Sequence, residues 1–487
     1  MRTRRFAIAA GLLVLAACDF DILNTNQPTQ DDLLSNPTRD KLSAAATGVL
    51  STSRSGIQSL IWRLGSMGRE GINLSGNNQP DYAEPFFGPV QGGGSFGGTL
   101  WIDRYQGIRT ANIYLTALAN NTSQTGPDLL TDAERAASRG MANTIKALAF
   151  LYVIQTRAQL GAPVDVDRPV SAGPAPWVTE DSVYGYTLGL LNAAATDLTA
   201  AGSTNFPFGM PQGFADFATP AEFLKFNRAL AAKANVLRAT ALNGCGGTPA
   251  TCYAVALTAL GQSFLSTAPA DFPKAASHDF STDPGDQTND LSEPLDGSTF
   301  FALTDDTTDA ETQAGGSRDQ RVLDKIAPAE AVQILGGISI SGELKFTMYL
   351  SNGAADANHP IPIIKDEELL LLRAEASWFT GAKANALLDL DNVRTNSGLL
   401  PPTTLTIASS DAAFIAGLLY ERRYSLLWEQ GTRWIDARRF GLLATIPIDV
   451  ANGNVPEVMP VPSSECNARN LTTQTIGDVV TCTPLNP

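Results

Sequence analysis

Two pairs of Ala-rich segments constrain the fold of this chain more than any other feature, because each pair has helical periodicity and is joined by a short turn. The first pair is Pro220–Leu242 with Cys252–Leu265, and the second is Lys365–Phe379 with Lys383–Thr395. Small side chains where the partners would meet let two helix axes approach closely, as in tetratricopeptide-type hairpins. No clean period of about 34 residues extends along the chain. We therefore predict helical hairpins within one mostly helical, globular body.

Further helices are expected on both sides of these pairs. Trp101–Leu118 places apolar residues at three- and four-residue steps, which indicates one buried helix face. Thr131 and Glu134 form a capping box that opens a long helix. The other predicted helices are Arg39–Arg54, Asp181–Ala200, Asp411–Glu429 and Thr432–Phe440. Ile338–Leu350 is the one segment whose pattern suggests a small β-hairpin.

The N-terminus has the layout of a bacterial lipoprotein signal. Three arginines within the first five residues precede an apolar run at 6–17. As a helix this run would be about 18 Å long, which is too short for a hydrocarbon core of about 30 Å. It ends in a Leu-Ala-Ala-Cys sequence that resembles the lipobox. We expect 1–17 to be a signal peptide, Cys18 to carry the lipid and 18–30 to be a tether. The alternative is an ordinary signal peptide with a cysteine nearby.

The four remaining cysteines fall into two locally spaced pairs. Cys245 lies close to Cys252, and Cys466 lies close to Cys482. In an oxidising compartment each pair can close a short loop, which would stabilise the fold by roughly 2–3 kcal/mol. Metal ligation is the alternative, but the turn around Cys245 contains no nearby histidine. Disulfides are therefore favoured, and we expect neither a metal nor a cofactor.

The charge balance restricts the class of partner. The formal net charge is −15, and removal of the three signal arginines would take it to −18. This sign argues against binding nucleic acid or an anionic membrane surface through a basic patch, and it suits a neutral or cationic ligand. No other stretch of 18 or more apolar residues exists, so a lipid is the only membrane attachment that the sequence predicts.

The segment Tyr420–Gly441, with the sequence YERRYSLLWEQGTRWIDARRFG, resembles the C-terminal signature of the SusD/RagB family. Its matching positions are Glu421, Arg422, Arg423, Glu429, Gly431, Arg433, Trp434, Asp436, Arg438, Arg439 and Gly441. Four further blocks resemble family motifs in the same order, namely Trp101–Leu115, Thr144–Val166, Lys365–Ser377 and Met459–Glu465. The chain departs from the family pattern after Glu465, where a Cys466–Cys482 stretch replaces the usual ending.

This resemblance implies a nutrient-binding outer-membrane lipoprotein. The fold would be a mostly α, SusD-like body over 31–487, with tetratricopeptide-like helix pairs, minor β-structure and long irregular loops on the ligand face. Its N-terminal and C-terminal parts would span about 31–240 and 250–487. The family's usual partner is a SusC-like TonB-dependent transporter, and its usual ligand is a glycan or oligosaccharide, sometimes a peptide. Asp19, directly after Cys18, leaves membrane sorting open, and the resemblance favours the cell surface.

Candidate ligand contacts are the aromatic and amide side chains of the long loops. Sugar rings present apolar faces and rims of hydroxyl groups, so a site for them needs aromatic platforms beside polar groups. The segment 73–96 supplies this mixture, and the resemblance adds the loop region past mid-chain. The candidates are Asn73, Asn77, Asn78, Asp81, Tyr82, Phe86, Phe87, Phe96 and Phe300. The alternative for each aromatic ring is that it fixes the loop onto the body. Few tryptophans lie in the loops, which leaves a peptide or a small oligosaccharide open.

Enzymatic chemistry finds little support in the sequence. The only histidines, His278 and His359, lie in loop-like sequence, so a histidine-based triad or metal site is disfavoured. No nucleotide-binding or Gly-x-Ser-x-Gly motif is present. We expect the charges of 420–441 to form buried ion pairs, and the chain to bind a ligand without catalysis. The alternatives are a tetratricopeptide-like envelope scaffold and, less favoured, a glycoside hydrolase with two carboxylates.

Overall fold

The computed structural model describes residues 29–75, 79–334, 340–476 and 478–482. The predicted signal peptide, Cys18 and nearly all of the predicted tether lie outside the described residues, as do Asn77 and Asn78. Within the described residues the α-helices are α1 (Gln30–Ser35), α2 (Arg39–Thr52), α3 (Ile57–Met67), α4 (Gln79–Phe87), α5 (Leu100–Asn120), α6 (Asp132–Arg157), α7 (Glu180–Ala200), α8 (Pro220–Ala239), α9 (Pro249–Leu260), α10 (Thr304–Thr308), α11 (Gln320–Lys325), α12 (Asp366–Phe379), α13 (Lys383–Asn396), α14 (Asp411–Ser425), α15 (Thr432–Arg439) and α16 (Ser463–Ala468).

The predicted helices are confirmed, and their ends are set by identifiable caps. Thr131 accepts a hydrogen bond from the backbone N–H of Glu134, and the Glu134 side chain returns to the Thr131 N–H, so the capping box opens α6. Pro249 starts α9 three residues before the predicted start at Cys252, because proline fits the first turn of a helix, where no N–H is needed.

The predicted helix pairs are also confirmed. Helix α8 packs against α9, α12 packs against α13, and α12 also packs against α9, so the two hairpins are neighbours. Ala229, Ala232 and Ala256 are fully buried in this region. Small side chains let the axes approach, as the composition predicted. The mostly α fold with tetratricopeptide-like pairs is therefore present.

Short strands supplement the helices. They are β1 (Gly71–Asn73), β2 (Val90–Gln91), β3 (Ala162–Pro163), β4 (Trp177–Val178), β5 (Ala275–His278), β6 (Phe300–Ala302), β7 (Ile326–Ile334), β8 (Ser341–Phe346), β9 (Leu350–Ser351), β10 (Ala354–Ala355), β11 (Ile361–Lys365), β12 (Gln474–Ile476) and β13 (Val479–Thr481). The largest sheet is antiparallel in the order β1-β6-β8-β7. It brings residues near 72 beside residues near 301, which positions the site described below.

Three sequence-based expectations need correction. The segment 73–96 is not one long loop, because it contains the whole of α4. Pro85 lies inside α4, and that helix ends two residues later at Phe87, which fits the loss of one backbone donor. The strand at Ser341–Phe346 pairs with β7 and not within Ile338–Leu350. His278 lies buried in β5 and not in a loop.

Buried ion pairs fix the C-terminal helices to one another. The Arg422 Nε lies 2.6 Å from an Asp436 oxygen, and the Arg439 Nε lies 2.8 Å from the other one. Arg439 also donates to Glu375 on α12 at 2.6 Å. These contacts join α12, α14 and α15, so the charges of the 420–441 segment are structural, as expected.

Two disulfides close the pairs expected from the cysteine spacing. Cys245 is bonded to Cys252, and Cys466 is bonded to Cys482, with Cα–Cα distances of 6.0 and 5.9 Å. The second disulfide lies in the stretch that departs from the family pattern. No helix among the described residues is long and apolar enough to cross a bilayer.

Candidate ligand-binding site

A small apolar cluster, separate from the main core, joins parts of the chain that are distant in sequence. It contains Ile72 and Phe86 from one stretch, together with Phe301 and Val450 from two others. The segment 448–454 reaches α4 through a hydrogen bond from the Asn454 N–H to the Phe86 carbonyl at 3.0 Å. We call the surface formed by α4, the β1-β6-β8-β7 sheet and the segment 448–454 the loop face.

Three of the candidate aromatic residues are buried in the interior. Phe86 is 1% exposed and lies under the guanidinium group of Arg69, at 4.0 Å from its ring centroid. Phe96 and Phe300 each pack against Trp62, with ring centroids 6.1 Å apart in both pairs. Because these rings are buried, they pack inside the protein and are not available to a ligand in solution. For these three rings the alternative interpretation applies, namely that they fix the loops onto the body.

Tyr82 and Phe87 are the candidate rings that remain accessible. Both lie on α4 and are only partly buried against the apolar cluster. All six tryptophans of the chain are buried, namely Trp62, Trp101, Trp177, Trp378, Trp428 and Trp434. Any stacking platform on the loop face must therefore come from tyrosine or phenylalanine.

The polar candidates Asn73 and Asp81 form a buried network that fixes α4 to β1. The Asn73 Nδ2 donates to an Asp81 carboxylate oxygen at 3.2 Å, and the Asn73 Oδ1 accepts from the Ser75 N–H at 2.9 Å. Arg63 lies 3.5 Å from the other Asp81 oxygen and 4.1 Å from the Trp62 ring centroid. Burial lowers the pKa of Arg63 to about 10, with the Asp81 charge opposing that shift. These groups hold the loop face in shape from inside.

Two acidic side chains that reach the surface belong to the loop face, as the two accessible rings do. Glu84 lies near the middle of α4 and accepts a hydrogen bond from the Gln91 N–H at 3.0 Å. Burial raises the pKa of Glu84. Asp449 pairs with Arg69 at 3.3 Å on the adjoining segment. Together with Tyr82 and Phe87 these groups give the loop face both apolar and hydrogen-bonding parts, the mixture that a carbohydrate or peptide requires.

The described residues contain no arrangement of three or more His, Cys, Asp or Glu side chains that could hold a metal ion. His278 is buried away from the loop face, with its Nε2 3.2 Å from the Tyr152 hydroxyl. His359 lies beside Tyr349, and its Nδ1 is 3.0 Å from the Pro360 carbonyl oxygen. Among the described residues the ring contacts of the two histidines are with Tyr152 and Tyr349, not with the candidate aromatic rings.

The buried His278 predicts a pH effect on stability. Burial, together with the charges of Arg104 and Arg54, lowers its pKa to about 3 from an ordinary value of 6.5. Below about pH 6.5 the unfolded chain binds a proton at His278, whereas the folded protein does not. The contribution of His278 to the free energy of unfolding is therefore fully present above about pH 6.5, and it falls by about 1.4 kcal/mol per pH unit below it. Between pH 6.5 and 5, His278→Gln should lose about 1.5 kcal/mol less stability than the natural protein. Denaturant unfolding at both pH values measures this, and equal losses would contradict it.

Comparisons with solved structures give the fold an independent reference. A SusD-like carbohydrate binding protein from Bacteroides fragilis NCTC 9343 is 15% identical, with a TM-score of 0.65 over 90% of this chain and 99% of that one. A SusD superfamily protein from Parabacteroides distasonis ATCC 8503 is 15% identical, with a TM-score of 0.66 over 89% and 99%. A laminarin binding SusD-like protein is 17% identical, with a TM-score of 0.62 over 88% and 97%.

No protein-family model and no curated protein matches the sequence. The structural likeness nevertheless extends over about nine-tenths of the chain and almost the full length of each solved structure. The protein therefore has the SusD-like fold.

Proposed function

We propose that the protein is a lipid-anchored binding protein of the outer cell surface, which captures a glycan, an oligosaccharide or a peptide and delivers it to a SusC-like TonB-dependent transporter. Cys18 would carry the lipid, and the loop face would hold the ligand. The protein would bind its ligand without changing it chemically, and no cofactor would take part. Asn77 and Asn78, which lie outside the described residues, would contribute amide groups to the ligand site.

The observation that carries this proposal is the pair of accessible rings on a rigid, SusD-like frame. Tyr82 and Phe87 project from a helix whose underside is fixed by the Asn73–Asp81–Arg63 network. Such preorganisation lowers the entropy cost of binding. Two solved structures of the same fold are named for carbohydrate or laminarin binding, which supports a glycan as the first ligand to test. The net charge of −15 suits a neutral ligand.

Removing either accessible ring should weaken ligand binding without unfolding the protein. We expect Tyr82→Ala and Phe87→Ala each to raise the Kd for a bound glycan about tenfold, which corresponds to about 1.4 kcal/mol. Isothermal titration with laminarin and a panel of oligosaccharides and peptides provides the measurement. Tyr186→Ala is the matched control, because Tyr186 is a partly buried ring on α7, far from the loop face in sequence. An equal loss of affinity in the Tyr186→Ala control would contradict the proposal that the rings on α4 contact the ligand.

Co-purification from membranes tests the proposed transporter partner independently of the ligand. We expect the lipidated full chain, purified from membranes in mild detergent, to bring down a large β-barrel receptor of the SusC-like class. The Cys18→Ser variant should be released from the membrane fraction and should fail to recover the receptor. Recovery of envelope proteins without any such receptor would favour the scaffold alternative, and product release from the glycan panel would favour a hydrolase.

A further inference from the structure

A cavity of about 330 Å³ lies between the start of α7, the end of α8 and α15. None of the residues that line it belongs to the loop face. Its volume is near the lower end of the range of about 300–1,000 Å³ that is typical of small-molecule sites. Three polar side chains in its wall, those of Arg438, Glu180 and Tyr184, can accept or donate further hydrogen bonds.

Arg438 contributes a cation that no carboxylate contacts within ion-pair distance among the described residues, although the charges of Glu180 and Glu457 act on it from farther away. Its Nη2 donates to the Gln155 carbonyl at 2.5 Å, its Nη1 lies 3.4 Å from the Glu457 carbonyl oxygen, and the guanidinium lies 4.4 Å from the Trp434 ring centroid. It takes part in no ion pair among the described residues, whereas the adjacent Arg439 is paired with two carboxylates. Burial lowers the pKa of Arg438. A charge that is desolvated but unpaired favours an entering anion.

Glu180 and Tyr184 lie one turn apart on α7 and also line the cavity. Glu180 is 9% exposed, and one of its oxygens accepts from the Leu242 N–H at 3.1 Å. It pairs with no cation within ion-pair distance in the part of the chain that the structure describes, and burial raises its pKa. Tyr184 is 3% exposed and lines the cavity, and its hydroxyl is not among the fully buried polar atoms of the described residues that lack a partner. The hydroxyl is therefore open to the cavity, where a ligand can replace water as its hydrogen-bond partner.

The walls of the cavity are held in place. The loop after Leu242 joins α8 to α9, and the Cys245–Cys252 disulfide connects it to α9. A hydrogen bond from the Cys245 N–H to Asp181 at 3.0 Å connects the same loop to α7. Arg238 holds the same Asp181 carboxylate through two hydrogen bonds at 2.7 and 2.9 Å. The cavity is therefore a built feature, because its rim is cross-linked to the helix that carries Glu180 and Tyr184.

We propose that this cavity is a second binding site, which takes a small carboxylate that also carries hydroxyl or ammonium donors. Arg438 binds the carboxylate, the Tyr184 hydroxyl hydrogen-bonds the same ligand, and Glu180 accepts from its donor groups. The volume restricts the ligand to about the size of one monosaccharide or amino acid. An amino acid and a sugar acid share this chemistry. The site does not depend on the function proposed for the loop face.

The test uses the full chain with D-glucuronate, L-glutamine and D-glucose as probes, titrated by isothermal calorimetry. We expect at least one of the two acids to bind, and neutral glucose to bind at least tenfold more weakly. Glucuronate alone would indicate a sugar acid, and glutamine alone an amino acid. Tyr184→Phe, which removes only a hydroxyl, should weaken the acid about fivefold at an unchanged melting temperature, and Arg438→Gln should abolish its binding.

A loop-face variant separates this site from the proposed function. Tyr82→Ala should bind the acid as the natural protein does, while it loses affinity for the glycan. The proposal is overturned if neither acid binds at millimolar concentration. It is also overturned if glucose binds as tightly as the acid, or if Tyr184→Phe binds the acid with unchanged affinity.

Discussion

Replacing Glu375 with glutamine is expected to lower the free energy of unfolding by about 3–5 kcal/mol, the cost of breaking a buried ion pair by removing one partner. Glu375 is fully buried on α12, where it accepts from the Arg439 Nη1 at 2.6 Å and from the Tyr253 hydroxyl at 2.9 Å. The glutamine has the same shape but no charge, so Arg439 keeps only Asp436 as an anionic partner. Denaturant unfolding followed by circular dichroism measures the loss.

An exposed ion pair of the same type gives the matched control. Glu222 and Lys225 lie 2.9 Å apart on the first turns of α8, and both side chains are well exposed. Glu222→Gln should cost less than about 1 kcal/mol, because solvent screens the pair. Equal, small losses in the two variants would show that the C-terminal ion pairs do not hold α12 and α15 together in the way described above.

Truncation of Trp428 should have the second large effect, and it should reach the loop face. The ring is fully buried, stacks on Phe346 with centroids 4.3 Å apart, and meets Phe300 edge-on at 6.0 Å. A Cβ at Gly71, in β1, would lie 2.7 Å from this ring. Trp428→Ala should cost about 3–5 kcal/mol. Because the ring supports β1 and β6, glycan affinity should also fall.

Trp428→Phe is the control for this prediction, because it keeps a ring that can pack against Phe346. We expect it to recover most of the stability and of the glycan affinity that the alanine variant loses. Thermal unfolding and calorimetric titration of the same samples provide both values. If glycan affinity is unchanged in a folded Trp428→Ala protein, the loop face does not depend on the aromatic residues beneath it.

The helical body was predictable because its signals are local. The pairs α8/α9 and α12/α13 have apolar periodicity, small residues at the contact and short turns, all within a few dozen residues. Helix α4 was missed because its surroundings are rich in glycine, asparagine and proline, which suggest a loop. It is stabilised by tertiary contacts with the cluster around Ile72 and Val450, and composition does not reveal such contacts.

The candidate site was predictable only as a region. Composition selects 73–96 as rich in aromatic and amide groups, but it does not distinguish the accessible Tyr82 from the buried Phe86. That difference depends on packing with Phe301 and Val450, which are more than 200 residues away. Composition also does not distinguish Arg438 from Arg439. The two are adjacent in one motif, yet only Arg439 forms an ion pair with Glu375, which lies on α12.

Hydrogen exchange with and without a bound glycan tests the central claim most directly. A ligand held at the loop face should slow amide exchange in α4 and in the segment 448–454, and it should leave α9 and α13 unchanged. Slower exchange in these two segments, lost in the Tyr82→Ala variant, is the expected result. Protection confined to the helix pairs α8/α9 and α12/α13 would contradict the account and would place binding on the helical hairpins.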